Sequence, residues 1–212
     1  NGYLGMRGNP EEGREAVAHG TFINGFHETW DIQHPETAYG FAQTGQTMVN
    51  APDSMVIKLY VDDEPLILGV SELEQYKRVL DFRTGILRRQ LIWHTPSGKR
   101  VLVESSRMVS MDQRHLAVMT FEVTVLNGSA PIVISSPLLY RQAGHAAFRA
   151  AEPSTRAGKS DPRKTASFTD RVLIPKDHSC DAGRLVLGYQ CAQSRMTMAL
   201  AAEHRLDGAD GA

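Results

Sequence analysis

Residues 115–126 alternate so regularly that only an extended strand accommodates them: Ala117, Met119, Phe121, Val123 and Val125 fall on one side and Thr120, Glu122 and Thr124 on the other. Successive side chains of a strand point to opposite faces, so this pattern buries one face and wets the other. The same period of two recurs in Met55–Val61, where Met55, Ile57, Leu59 and Val61 share a face, and in Gly85–Trp93, where Leu87, Leu91 and Trp93 oppose Arg88 and Gln90. Thr95-Pro96-Ser97-Gly98-Lys99 is a turn, and Arg100–Val109 returns from it as the second arm of a hairpin. Asp62-Asp63-Glu64-Pro65 ends one strand, and Asn127–Pro131 leads into another at Ile132–Ser135. Arg184–Cys191 and Met196–His204 complete the series. Helical signal is confined to Pro52–Ser54 and to Ser71–Tyr76, where Ser71 and Glu74 have N-terminal capping spacing. About ten or more short strands, punctuated by Gly and Pro, predict an all-β fold, a large antiparallel sandwich with few short helices. Phe121 is expected in the core between its sheets. Residues 143–169, polar and aperiodic, are expected to form an exposed, mobile loop.

Composition narrows function only by exclusion. With 212 residues, 42% hydrophobic and 22% charged, the chain has enough apolar content for a core. Its 23 basic and 24 acidic residues balance, which gives no electrostatic pull toward nucleic acid or anionic lipid. No apolar run reaches the ~18 residues of a membrane-spanning helix. Two cysteines, Cys180 and Cys191, build no disulfide framework; free thiols and a reducing, cytoplasmic location are expected, with secretion as the alternative. The chain opens NGYLGMRGN, without a signal-peptide pattern, and closes LDGADGA, so a fragment of a longer protein is expected.

Motif chemistry is sparse. The eight histidines, His19, His27 and His34 among them, have no metal-ligand spacing, and neither H-E-x-x-H nor C-x-x-C occurs. No nucleophile elbow, P-loop or dinucleotide fingerprint is present. Carboxylates are plentiful, and glycosidic cleavage needs two of them across a sugar ring; Asp62, Asp63, Glu64, Glu104 and Glu122 are read as solvated or ion-paired. The passage Gly20–Trp30 alone gathers aromatic rings, an amide, a histidine and a carboxylate. Sugar sites use such groups, rings under C–H faces and amides or acids on hydroxyls, although core-filling aromatics carry the greater weight. Asn24, His27, Glu28 and Trp30 are the candidate residues.

The strings NGYLGMRGNPEEG, GTFINGFHETW, AYGF and QTMVNAPD followed by IKLYVDDEP resemble, in this order, the N-terminal domain of glycoside hydrolase family 65. Residues 76–127, from YKRVLDFRTG to EVTVLN, resemble that domain's central strands. The family includes maltose, trehalose and kojibiose phosphorylases and acid trehalases. The resemblance implies a β-supersandwich of the galactose-mutarotase-like type over 1–212, preceding an (α/α)6 catalytic barrel that holds the acid glutamate and the phosphate-binding residues. It therefore implies no catalytic, cofactor or metal residue here, and Asn24, His27, Glu28 and Trp30 become a barrel-facing or sugar-facing surface. The implied partners are the barrel, a second copy in a homodimer and a carbohydrate substrate, with inorganic phosphate as co-substrate if the parent is a phosphorylase. A carbohydrate-binding module and, more remotely, a mutarotase-like aldose epimerase are the alternatives.

Overall fold

The computed structural model describes residues 1–12, 20–36, 38–138, 140 and 172–208. Among the described residues thirteen strands are formed: β1 Leu4–Met6, β2 Thr21–Asp31, β3 Thr44–Asn50, β4 Lys58–Val61, β5 Glu64–Pro65, β6 Glu72–Asp81, β7 Ile86–His94, β8 Arg100–Val109, β9 Ala117–Val125, β10 Ile132–Ser135, β11 Leu173–Asp181, β12 Arg184–Cys191 and β13 Thr197–Glu203. They form four sheets, β1-β2-β3, β10-β4-β5, β6-β7-β8-β9 and β11-β12-β13. The described ladders are antiparallel. The all-β, antiparallel architecture expected of a sandwich is present. The chain divides into two compact units, residues 1–24 with 53–138 and residues 25–52 with 139–212.

The first unit is built around the β6–β9 sheet. Its hairpins align Leu91 with Val103 and Trp93 with Val101, so the alternating apolar positions of β7 and β8 fall on one face. These four join Leu59, Val61 and Leu66 in a buried cluster. Phe121 and Val123 pack against that cluster but stay half-buried, because β9 is the sheet's edge strand and is covered less completely. Phe121, expected in the core, thus packs on it from the margin.

In the second unit Leu173 faces Cys191 and Tyr189 faces Met198, all four buried. Cys180 and Cys191 are free thiols, exposed and buried respectively. They stand at opposite ends of the β11–β12 hairpin, Cys180 opposite Leu185 and Cys191 opposite Leu173.

Local expectations are corrected in three places. No helix occurs among the described residues. Ser71 accepts the Ile67 N–H at 3.0 Å and closes the turn before β6. Glu74 is the extra residue where the β6–β7 register shifts, a bulge that turns its side chain onto Arg100 and His94. Asp53 accepts the Met55 N–H at 3.0 Å, an Asx turn where a helical turn was expected. Finally, β4 starts only at Lys58: Met55, Val56 and Ile57 are buried in succession, and the Ile57 N–H is taken at 2.8 Å by the carbonyl of Glu11, which lies outside any strand. The loop expected at 143–169 lies outside the described residues, as does His19.

Candidate functional site

The expected site strand, β2, is tied into the fold at each candidate residue. Asn24 is exposed; its side chain donates to the Gly2 carbonyl at 2.9 Å, and its backbone N–H to Tyr3 O at 2.7 Å. Gly25 has φ +82°, a left-handed conformation inside the strand that glycine adopts without Cβ strain. The Gly25 carbonyl accepts from His27 Nδ1 at 2.8 Å. A carbonyl only accepts, so Nδ1 carries a proton in this half-buried ring. Glu28, only 1% exposed, accepts the backbone N–H groups of Thr29, Gln193 and Ser194. Ser194 Oγ in turn donates to His27 O at 2.6 Å. Trp30 lies against Gly45 of β3, where an added Cβ would run into the indole ring. Asn24, His27, Glu28 and Trp30 therefore engage four different places, the N-terminus, Gly25, the β12–β13 turn and β3.

A second polar constellation, which the sequence reading missed, lies in the first unit. Residues 7–12 place two adjacent carboxylates against the inward face of β7 and β8. Arg89 makes a bidentate pair with Glu12 at 2.6 and 2.7 Å and reaches Glu11 at 3.0 Å. Arg107 pairs with Glu11 at 3.3 Å and donates to the carbonyls of Asn9 and Arg7 at 2.7 and 3.1 Å. All four charged side chains are buried to 5% exposure or less, and two cations meet two anions. For Arg89 burial opposes the charge, but Glu12 and Glu11 outweigh it and raise its pKa. For Arg107 burial prevails over Glu11, and the nearby Arg78 and Arg89 add to a lowered pKa. Both guanidiniums remain charged at ordinary pH. The available signal was parity: Arg89 lies two residues before Leu91, on the same face, and the doublet Glu11-Glu12 matches that charge.

The opposite face of the β6–β9 sheet forms an open groove of about 540 Å³. The ladders place Lys77, Gln90, Glu104 and Glu122 in one row and Val79, Arg88, Ser106 and Thr120 in the next. Gln90 donates to Glu104 at 3.0 Å, and the Ser106 and Thr120 hydroxyls bond at 2.8 Å. Glu104 and Glu122 stand directly opposite on neighbouring strands, both exposed. Among the described residues no group of His, Cys, Asp and Glu is arranged to hold a metal ion, and no helix is long and apolar enough to cross a membrane.

Residues 1–212 match the family described as "Glycosyl hydrolase family 65, N-terminal domain". The α,α-trehalose phosphorylase of Thermoanaerobacter brockii is 44% identical over 136 residues, which cover 62% of this chain and 18% of that protein. An uncharacterised glycosyl hydrolase of Mycobacterium tuberculosis is 32% identical over 207 residues, covering 98% of this chain and 25% of that protein. A solved structure from the human microbiome, provisionally named a kojibiose phosphorylase, superposes with a TM-score of 0.72 at 18% identity, covering 95% of this chain and 24% of that one. That likeness gives the fold. The chain spans a quarter or less of the length of these relatives.

Proposed function

The chain belongs to glycosyl hydrolase family 65, as its N-terminal domain, and from that premise we propose that it serves a disaccharide phosphorylase or hydrolase as a non-catalytic β-module. In this reading the parent acts on α-linked glucosides such as trehalose, kojibiose or maltose, and an (α/α)6 barrel elsewhere in it performs the cleavage. The module packs on that barrel and supports a homodimer in the cytoplasm. A phosphorolytic parent takes inorganic phosphate as co-substrate and needs no other cofactor.

The observation that carries the non-catalytic reading is the employment of the buried carboxylates. Glycosidic cleavage needs a proton-donating carboxylic acid and a second group across the ring, and apolar burial is the usual means of keeping such an acid protonated. Glu11 and Glu12 are neutralised by Arg89 and Arg107, Glu28 is spent on backbone N–H groups, and Asp53 accepts the Met55 N–H. Glu104 and Glu122 stand exposed on an open face. The test is release of glucose or glucose 1-phosphate from trehalose, kojibiose and maltose, with and without phosphate, by this chain and by the full parent. The parent is expected to turn over and this chain to be inert. Turnover by this chain that is abolished by Glu104→Gln or Glu122→Gln overturns the reading.

A further inference from the structure

We propose that the groove on the outer face of the β6–β9 sheet is a binding site for a neutral sugar, an α-linked glucose disaccharide or the end of a longer glucan. The ligand's class follows from the groove, whereas its identity as a glucoside rests on the function proposed above. At about 540 Å³ the groove lies within the ~300–1,000 Å³ range of small-molecule sites. Its floor is four hydrogen-bonded strands, so the side chains above it are held at fixed interstrand spacings of about 4.8 Å.

Charge selects the ligand. Lys77 and Arg88 stand on β6 and β7, while Glu104 and Glu122 stand on β8 and β9. A phosphate or other anion that approaches the cations also meets two carboxylates, and a polyamine drawn to the carboxylates meets two cations. A neutral polyol meets no such penalty, because each hydroxyl both donates and accepts. Its donors suit the carboxylates of Glu104 and Glu122, and its acceptors suit Lys77, Arg88 and the Gln90 amide. Val79 provides an apolar spot for a C–H face.

The carboxylate pair supports the same assignment. Like charges directly opposite on adjacent strands are destabilising. In the sheet Gln90 satisfies one oxygen of Glu104, and no described side chain is shown bonded to Glu122. Two vicinal hydroxyls donating to Glu104 and Glu122 relieve that repulsion, and the cost is repaid only when ligand is present.

The experiment is titration of this chain with trehalose, kojibiose and maltose, followed by calorimetry and by amide chemical shifts. Inorganic phosphate and spermidine serve as comparison ligands. At least one disaccharide should bind and shift amides of β7, β8 and β9 at the outer-face positions. Glu104→Ala and Glu122→Ala, both at exposed positions, should each weaken binding about tenfold or more, the loss expected for a charge-assisted hydrogen bond. Denaturation midpoints no lower than that of the unsubstituted chain keep a binding loss in these variants from being read as unfolding. Absence of sugar binding, binding with shifts elsewhere, or a preference for phosphate or spermidine overturns the proposal. So does a face that instead joins two copies, seen as a dimer dissociated by Glu122→Ala. None of these results touches the proposed function, which is tested by turnover in this chain and in the full parent.

Discussion

Glu28 lies on β2 and Ser194 in the β12–β13 turn, 166 residues apart in sequence, yet the Glu28 carboxylate accepts the Ser194 N–H at 2.7 Å. The same carboxylate takes the Gln193 N–H at 3.0 Å. A charged acceptor shared by two successive N–H groups holds the turn as a bound anion would. Glu28→Ala leaves those donors without their acceptor and should cost about 2–3 kcal/mol in urea denaturation. Amide exchange at Gln193 and Ser194 should accelerate more than elsewhere in β12 and β13. An unaltered exchange rate at both positions contradicts this role.

Arg89 is the hub of the buried charges. Removing it leaves Glu12 without its partner in a site 4% exposed, and Arg89→Met should cost about 3–5 kcal/mol. The double variant Arg89→Met/Glu12→Leu keeps the neutral pair of Arg107 with Glu11, so it should be more stable than Arg89→Met alone. Denaturation of the two variants side by side measures the difference, and equal stabilities rule out the charge-balance account.

Trp93 and Phe121 differ in cover. Trp93 is 1% exposed, and Trp93→Ala should cost about 3–5 kcal/mol. Phe121, at the edge of the same cluster, should cost clearly less on truncation, about 2 kcal/mol. A Phe121→Ala loss matching that of Trp93→Ala places β9 deeper than described.

The two-residue turn between β11 and β12 has Ala182 at φ +42° and Gly183 at φ +81°. Such turns favour Asn, Asp or Gly, and alanine gains no local hydrogen bond there. At the corresponding turn between β4 and β5 the chain uses Asp62 and Asp63. Ala182→Asn should therefore raise stability, by about 0.5–1 kcal/mol in denaturant melts.

The two thiols should separate by reactivity. Burial pushes the Cys191 thiol up and the Glu28 charge adds to it, against a hydrogen bond with Ser194. Less thiolate forms at any given pH, and the side chain is inaccessible. With a disulfide reagent at mildly alkaline pH, Cys180 alone should react in the folded protein, and Cys191 only after denaturation. Rapid native reaction of both means the β12 end is open.

The sequence by itself determined the strands whose two faces differ. Ala117–Val125, Ile86–His94 and Arg184–Cys191 were legible because one side of each is covered and the other is wet, so burial writes a period of two into local composition. The order of motifs along the chain likewise carried the family. Where burial has no such period, the reading failed: at Met55–Ile57, buried at every position, and along β6, exposed at most of its positions.

Tertiary structure alone decided what each polar residue does. Glu28 and Glu122 each sit within a regular strand, yet one is buried on the N–H groups of a distant turn and the other faces an open groove opposite Glu104. Glu11, in a stretch with no strand period, supplies charge to arginines on β7 and β8. Strand period follows from a residue's immediate neighbours, whereas a carboxylate's partner is fixed by ladder register and by which segment crosses the face. Those are long-range choices with no local trace in composition, so the candidate site emerged only once the strands were paired.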